Sequence, residues 1–225
     1  MSRPKNRKKE VTKSLVLHSA AKLFIENGYS NTRIKDIAEE AQVSYNDVFR
    51  TFEDKDTLLS ELVGLVLEYQ FEKTSEVLKG YNTTKIQTYA FETVLQLHVA
   101  ESYEHIREMY LTSYSLPRST EAIYDTITSK LENIFKEYLP EYQTKDFFEL
   151  EIASAGIMRG FISVPCDMYF TMDRKVNRFL ESLLKIFDVD KKTINETIDF
   201  LKQFDFKKLA IELLDSLFDY LEDRI

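Results

Sequence analysis

Hydrophobic residues recur at helical spacing along the whole chain. Between Val11 and Asn27 they form one stripe at i, i+4, i+7 and i+8, and Gly28 follows as a stop signal. No strand-like alternation persists, so the pattern predicts an all-α protein. Beyond residue 53 we expect a connecting helix that Gly80 closes, and then helices over Thr84–Ser113 (with a possible break near Tyr103), Arg118–Tyr138, Thr144–Phe170, Asp173–Phe187 and Lys191–Asp223. Pro165 is expected to kink or end the helix that contains it.

Residues 11–53 carry three short helical patterns with recognisable ends. The second helix begins after Asn31 or Thr32, because either side chain can cap it. A short turn leads to Ser44, and the segment from Ser44 to Asp47 has the S-x-x-D form of a capping box. This box opens a third helix, which we expect to end near Arg50. The second and third helices are joined by about four residues, as in a helix-turn-helix motif.

The third helix presents side chains that suit the edges of DNA bases. Asn46 can form a bidentate pair with adenine, and Arg50 can pair with guanine or with a phosphate. Tyr45 offers a ring for a thymine methyl group and a hydroxyl for a phosphate. Compact three-helix arrangements of this kind place one helix in the major groove. The residues therefore predict a DNA-reading helix.

The charge distribution agrees with a localised polyanion contact. The chain has a net charge of -8, yet residues 1–60 hold 11 Lys and Arg against 9 Asp and Glu. Residues 1–10 read as a flexible basic arm ahead of the first helix, and a solubilising tail is an equal alternative for it. Near this end only Glu10 opposes six basic residues: Arg3, Lys5, Arg7, Lys8, Lys9 and Lys13.

Cysteine usage and hydropathy narrow the class of protein. The single cysteine, Cys166, excludes an internal disulfide and fits a reducing cytoplasm. No apolar run follows the basic N-terminus, and none reaches about 18 residues, so we expect neither a secretory leader nor a membrane span.

The segment from Val16 to Leu59 resembles the N-terminal pattern of the TetR family of bacterial transcription regulators. The residues that carry the resemblance are Ala20, Leu23, Phe24, Gly28, Tyr29, Thr32, Ile34, Asp36, Ile37, Ala38, Ala41, Val43, Ser44, Phe52, Lys55, Leu58 and Leu59. The chain departs from that pattern at three positions. Gln42 replaces a usual Gly in the turn, so we expect a less favourable backbone conformation there. Asn46 replaces a frequent Gly. Phe49 replaces a usual Tyr, so we expect it to pack and not to contact a phosphate.

The resemblance implies a homodimeric repressor that reads a palindromic DNA operator and is released by a small-molecule effector. It divides the chain into the arm at 1–10, a helix-turn-helix domain at 11–53, a connecting helix at 54–80 and a helical effector-binding and dimerisation domain at 81–225. An alternative is a DNA-binding protein of the same fold that a protein partner or a metal controls. The expected DNA-contacting residues are Thr32, Arg33, Ser44, Tyr45, Asn46, Arg50 and Lys55. Among them, Thr32, Arg33 and Lys55 are assigned to phosphates.

Residues 81–225 are rich in aromatic side chains, which line ligand pockets and also fill ordinary cores. Arg159 interrupts an apolar segment, and a buried cation needs a partner, such as Glu149, Glu151 or an acidic ligand. The candidate ligand-binding residues are Tyr103, Tyr110, Tyr114, Met158, Arg159 and Phe161. Small residues of the same segment and the amphipathic last helix indicate a dimer interface, or else an internal helix pair, through Ala153, Gly156, Gly160, Leu214, Leu217 and Phe218.

One set of residues has the spacing of metal ligands. On a continuous helix, four side chains at i, i+3, i+7 and i+10 share one face: His98, Glu101, His105 and Glu108. A solvated face is the favoured interpretation, and we expect neither a metal nor another cofactor. The chain has no G-x-S-x-G, no Gly-rich phosphate loop and no H-E-x-x-H, so we do not expect an enzyme.

Overall fold

The structure, a computed structural model, describes the backbone of residues 4–222 and the side chains of residues 10–221. Within these residues the chain forms eleven helices: α1 (Pro4–Asn27), α2 (Ile34–Glu40), α3 (Tyr45–Phe52), α4 (Lys55–Leu78), α5 (Lys85–Ser102), α6 (Glu104–Ser113), α7 (Pro117–Phe135), α8 (Thr144–Ser163), α9 (Met172–Lys185), α10 (Lys191–Leu201) and α11 (Phe206–Glu222). The predicted all-α class is confirmed. No helix in this part of the chain is both long and apolar enough to cross a membrane.

The helix α1 begins seven residues earlier than the apolar stripe indicates. Its first residue is Pro4, and proline suits the first turn of a helix because its missing N–H has no partner to lose there. The backbone of the expected flexible arm is therefore helical from residue 4. Lys13 forms an ion pair with Glu61 of α4. The remaining arm residues lie outside the described side chains: Arg3, Lys5, Arg7, Lys8 and Lys9.

The helices α1, α2 and α3 pack against one another around a small apolar core. Phe24, Ile37, Val48 and Phe52 are almost completely buried there. The connecting helix α4 begins where Asp54 accepts a hydrogen bond from the Thr57 backbone N–H at 2.7 Å. We call the bundle of α1, α2 and α3 the head, and the helices from α5 to α11 the body. The helix α4 runs from the head into the body, where it packs on α5 and α7.

The body is built around α5, which contacts α4 and every helix from α6 to α11. Nearly all of its side chains are therefore buried, from Ile86 to Ala100. The predicted break at Tyr103 is confirmed, because this residue has extended backbone angles between α5 and α6. Pro165 ends α8, since it disfavours the helical conformation at Val164.

The predicted single helix over Lys191–Asp223 is wrong, because two helices cover that span. The chain turns at residues 202–205, and Asp205 accepts a hydrogen bond from the Lys208 backbone N–H at 3.0 Å, as the cap of α11. Phe204 fills the corner, with its ring centroid 5.0 Å from that of Phe91 in α5. Burial of this ring favours the turn over a continuous helix.

Candidate functional site

A side-chain cap and an apolar inner face position α3. The Ser44 hydroxyl accepts a hydrogen bond from the Asp47 backbone N–H at 3.1 Å and donates one to the Asp47 carboxylate at 2.6 Å. The predicted cap at Ser44 is therefore confirmed. Val48 and Phe52, four residues apart, are buried against α1 and α2. Their burial turns the opposite face of α3 to solvent.

The outer face of α3 forms a shallow open depression lined by Tyr45, Asn46, Phe49 and Arg50. Tyr45 and Phe49 are 48% and 47% exposed, and their ring centroids lie 5.3 Å apart. Phe49 packs on the ring of Tyr45 and not in the core. It lies four residues after Tyr45 and one after the buried Val48, so the helical period already places it on the outer face.

Arg50 is exposed and is held by its own helix. Its guanidinium forms an ion pair with Asp47, and its Nε donates to the Asn46 carbonyl at 3.3 Å. Surface ion pairs of this kind contribute little free energy. The guanidinium can therefore leave Asp47 at small cost when a stronger anion is present.

Arg33 precedes α2 and has a side chain that is 82% exposed. Its backbone N–H donates to Asp36 at 2.9 Å, and its Nε lies 3.3 Å from the same carboxylate. It occupies the cap position that we expected at Asn31 or Thr32. The guanidinium is exposed to solvent, and its contact with a phosphate stays a prediction.

Thr32 is 2% exposed and turns its hydroxyl into the chain, contrary to expectation. The hydroxyl lies 2.8 Å from the Gly28 carbonyl and 3.2 Å from the Leu23 carbonyl. The Leu23 carbonyl belongs to the last turns of α1, and the Gly28 carbonyl lies directly after the end of this helix. Thr32 therefore holds the loop between α1 and α2, and its side chain is not offered to a phosphate.

Lys55 has a similar internal role. Its Nζ donates to the Tyr29 carbonyl at 2.7 Å and to the Thr32 carbonyl at 2.8 Å, and it lies 3.8 Å from the centroid of the Tyr29 ring. Burial lowers the pKa of Lys55, against the opposing charge of Glu108. The expected phosphate contact is replaced by a clamp that joins the first turn of α4 to the loop before α2.

The turn between α2 and α3 carries a strained residue. Gln42 has a φ of 55°, in the region that favours glycine. The Gly-to-Gln departure was expected to need an unfavourable backbone conformation, and the structure confirms it.

The body holds two neighbouring cavities with several shared wall residues, among them Gln96 and Tyr114. The first has a volume of about 80 Å³ and is lined mainly by apolar residues of α4 and α6, including Val63, Met109 and Tyr110. The second has a volume of about 40 Å³ and polar walls, which include Glu92, Lys130, Glu151 and Ser154.

Three of the six candidate ligand residues line these cavities, namely Tyr110, Tyr114 and Met158. Three do not. Arg159 is exposed, because it follows Met158 by about 100° around α8 and leaves the buried face. Phe161 packs against Phe170 and Phe179. Tyr103 is 58% exposed at the corner between α5 and α6.

Glu151, and not Arg159, is the buried ionisable residue of α8. It is 3% exposed, and its carboxylate accepts a hydrogen bond from the Ser154 hydroxyl at 2.6 Å. Burial raises the pKa of Glu151 to about 8, although the Ser154 hydrogen bond opposes the shift. From the sequence, we expected Glu151 only as a candidate partner of Arg159 and not as a residue of the cavity wall.

The four candidate metal ligands are dispersed by the break at Tyr103. His98 stacks on Phe206, and burial lowers its pKa to about 4. Glu101 forms ion pairs with Lys175 and Arg107. His105 and Glu108 contact the head instead. Among the side chains that the structure describes, no three His, Cys, Asp or Glu residues are grouped to hold a metal ion.

The helices that line the larger cavity also hold the bundle of α1, α2 and α3. From α6, His105 Nδ1 lies 3.0 Å from the Ile25 carbonyl, and the Glu108 carboxylate accepts the Ser30 backbone N–H at 2.9 Å. From α4, Lys55 clamps the loop before α2. A movement of α4 or α6 at the cavity therefore reaches the head directly.

The candidate dimer residues divide into two groups. On α8, Ala153, Gly156 and Gly160 face outward, and no atom lies within 4 Å of a Cβ built on either glycine. On α11, Leu217 is buried within the chain itself, because this helix packs against α1, α4 and α5. Leu214 and Phe218 are partly buried on the same core, and the Phe218 ring lies 5.6 Å from that of His18. Leu217 is therefore an internal contact, and a dimer contact through Leu214 and Phe218 stays a prediction.

Comparison with known proteins finds similarity to bacterial regulators. Residues 16–62 match the model of bacterial regulatory proteins of the tetR family. The probable HTH-type transcriptional regulator YttP of Bacillus subtilis (strain 168) is 24% identical over 156 residues, which cover 68% of this chain and 69% of YttP. The HTH-type regulator YuxN of the same strain, itself uncharacterised, is 26% identical over 107 residues, or 48% of this chain and 36% of YuxN.

A solved structure shares the fold across most of the chain. RolR, in complex with resorcinol, superimposes with a TM-score of 0.67 at 16% identity, over 86% of this chain and 95% of RolR. The resemblance inferred from Val16–Leu59 thus coincides with the segment that matches the family model, and most of the chain shares its helical fold with RolR. The chain is therefore similar to the tetR family of bacterial regulatory proteins in its N-terminal segment, and to an HTH-type transcriptional regulator over 68% of its length.

Proposed function

We propose that this protein is a dimeric repressor that leaves its operator when a small molecule binds in the body. The observation that carries the proposal is the double role of α4 and α6, which line the larger cavity and hold the head through Lys55, His105 and Glu108. A ligand that displaces these helices changes the position of α3. The protein is expected to act in the bacterial cytoplasm, where the DNA is.

The outer face of α3 is assigned to base reading in the major groove. Asn46 and Arg50 have the donors for adenine and guanine, and Tyr45 and Phe49 offer rings for thymine methyl groups. Arg33 is assigned to a phosphate. Two heads related by a two-fold axis require a palindromic operator, with half-sites about 34–36 Å apart.

The outward face of α8 is the proposed dimer contact. Ile152 is 46% exposed there beside Ala153, Gly156 and Gly160, and small residues permit close approach of a second helix. Sedimentation velocity tests this assignment. Gly156→Arg is expected to give monomers, whereas Gly64→Arg on α4, which also has open space at its Cβ, is expected to leave the dimer intact.

A small-molecule effector is supported by the cavities and by the fold neighbour RolR, whose structure holds resorcinol. The alternative is control by a protein partner or a metal through the same head. A compound that both stabilises the protein and releases its DNA favours the first candidate. Unchanged DNA binding across a broad metabolite library favours the second.

Selection of bound duplexes from a random pool tests the DNA-binding function. The purified protein is expected to enrich a palindrome, and fluorescence anisotropy on that duplex gives the affinity and its salt dependence. Enrichment of unrelated sequences, or no binding at low salt, would contradict the proposed function.

A further inference from the structure

The smaller cavity contains more buried carboxylates than cations. Glu92 and Glu151 both line it, and Lys130 is the basic residue among its walls. Glu92 and Glu151 are 4% and 3% exposed, so water cannot neutralise either of them freely. The balance of charge in this cavity therefore depends on how Lys130 is shared between the two acids.

Lys130 belongs entirely to Glu92. Its Nζ lies 2.7 Å and 2.6 Å from the two carboxylate oxygens of that residue. The same ammonium lies 3.3 Å from the centroid of the Phe71 ring. Two short bonds and an aromatic contact fix the ammonium at this wall, so it is not free to neutralise a second acid.

Glu151 has no cation of its own. Its partner is the Ser154 hydroxyl at 2.6 Å, and no basic side chain in the described residues lies within ion-pair distance. Burial accordingly raises the pKa of its carboxyl, which is protonated at neutral pH. Glu151 is therefore the buried acid of this cavity without a cation, and it is neutral only while it keeps its proton.

The surroundings of Glu151 suit a cation with an apolar body. The rings of Tyr89 and Tyr114 line the same cavity, and aromatic faces attract organic cations. Beyond Gln96 and Tyr114 lies the apolar cavity of about 80 Å³. Their volumes of about 40 and 80 Å³ together approach the roughly 150 Å³ of a cavity that holds one aromatic ring.

We propose that the effector is a small amphipathic amine, whose ammonium binds the Glu151 carboxylate and whose apolar part fills the cavity between α4 and α6. The inference rests on the proposed function, because it takes these cavities to be the effector site. A neutral effector of phenol type would instead need a hydrogen-bond partner and no counter-ion.

Binding of an ammonium must displace one proton from the site. The amine enters as the cation, the Glu151 carboxyl loses its proton to solvent, and the pair is neutral as before. The other titratable groups that face Glu151 do not compete: Tyr89 of α5 and Tyr114 after α6 remain neutral, because burial raises the pKa of both hydroxyls. Glu92 of α5 and Lys130 of α7 remain paired. About one proton is therefore released per amine bound.

Calorimetry with two matched probes tests the proposal on the full-length protein. Phenethylamine and 2-phenylethanol have the same ring and chain and differ in charge near pH 7. The wild type is expected to bind the amine roughly ten- to a hundredfold more tightly than the alcohol, because a hydrogen bond to a charged group is the stronger. Titration in two buffers of different ionisation enthalpy is expected to show the released proton. Equal affinities, tighter binding of the alcohol, no binding of either probe, or no proton release would overturn the proposal.

Two variants locate the effect. Glu151→Gln keeps the shape of the side chain and is expected to abolish both the preference for the amine and the proton release. Glu149→Gln removes an exposed carboxylate from the same helix and is expected to change neither. An amine preference that survives in Glu151→Gln would overturn the assignment.

A separate measurement keeps this inference distinct from the proposed function. Anisotropy with the selected operator is expected to show DNA release by phenethylamine in the wild type and in Glu149→Gln, and none in Glu151→Gln. Failure of every protein to bind DNA would sink the proposed function. DNA binding that persists although the amine binds would show that the amine site is not the effector site.

Discussion

Asn46 is the side chain of α3 best suited to specify a base. It lies on the exposed face at the second position of the helix, where the N-terminal residues of a recognition helix meet base edges. Asn46→Ala is expected to weaken operator binding by about 1–3 kcal/mol and to relax selectivity at one base pair. Anisotropy on operators with single changes measures both effects. Asn195→Ala on the exposed face of α10 is the control, and a loss below about 1 kcal/mol would argue against base reading.

Lys55 and Arg33 are expected to have different roles. Lys55 stabilises the fold, whereas Arg33 contributes to DNA binding. Lys55→Met leaves the Tyr29 and Thr32 carbonyls without their donor, so the free energy of unfolding should fall by about 1–3 kcal/mol while the salt dependence of DNA binding stays unchanged. Arg33→Met should preserve stability and reduce the salt slope by about 1. Urea unfolding and anisotropy at several salt concentrations separate the two residues. A reduced salt slope in Lys55→Met would restore the original phosphate assignment.

The outer face of α3 was largely predictable, because local rules govern it. The Ser44 cap and the helical period are sufficient to place Tyr45, Asn46 and Arg50 on the outer face. The roles of Thr32 and Lys55 were not predictable, since both depend on where the α1 carbonyls and the α4 N-terminus meet in space. Arg159 shows the same limit in the body, where an apolar sequence context did not reveal which side of α8 would be covered.

At the scale of elements, helix existence was predictable and helix continuity was less so. Pro165 and Gly28 mark ends that the structure confirms. The turn between α10 and α11 has no proline or glycine and depends on the burial of Phe204 against α5, which is a tertiary contact. The extension of α1 to Pro4 was likewise not predictable from the apolar stripe, because the first turns of this helix carry mostly polar residues.

The contact between the end of α1 and α6 can be tested with two glycines. Gly28 and Gly80 both have positive φ angles, of 84° and 97°, so an alanine at either costs roughly 1–2 kcal/mol in backbone strain. A Cβ at Gly28 would also lie 2.5 Å from Glu108 Oε2, whereas Gly80 has open space. Gly28→Ala is therefore expected to lower the free energy of unfolding more than Gly80→Ala. Equal losses in urea unfolding would show that the Glu108 contact yields without cost.

For the whole molecule, the buried acid in the body should make stability depend on pH. The pKa of Glu151 is about 8 in the folded protein and about 4.5 without burial, so the folded state binds the extra proton between these values. The contribution of Glu151 to the free energy of unfolding is fully present below about pH 4.5. It is lost as the pH rises towards 8, by up to about 1.4 kcal/mol per pH unit. His98 affects stability over a different pH range. Its pKa is about 4 in the folded protein and usually 6.5, so it lowers the free energy of unfolding only as the pH falls below 6.5.

The interval from pH 6.5 to 8 therefore isolates Glu151 from His98. Across this interval, the free energy of unfolding of the wild type is expected to fall relative to that of Glu151→Gln. The reason is that only the wild type releases a proton from residue 151 when it unfolds. Urea unfolding at three pH values in this interval gives the difference in slope, and Glu149→Gln should follow the wild type. Parallel curves for the wild type and Glu151→Gln would mean that the carboxyl is already ionised in the folded protein. The proton release expected on amine binding would then be contradicted as well.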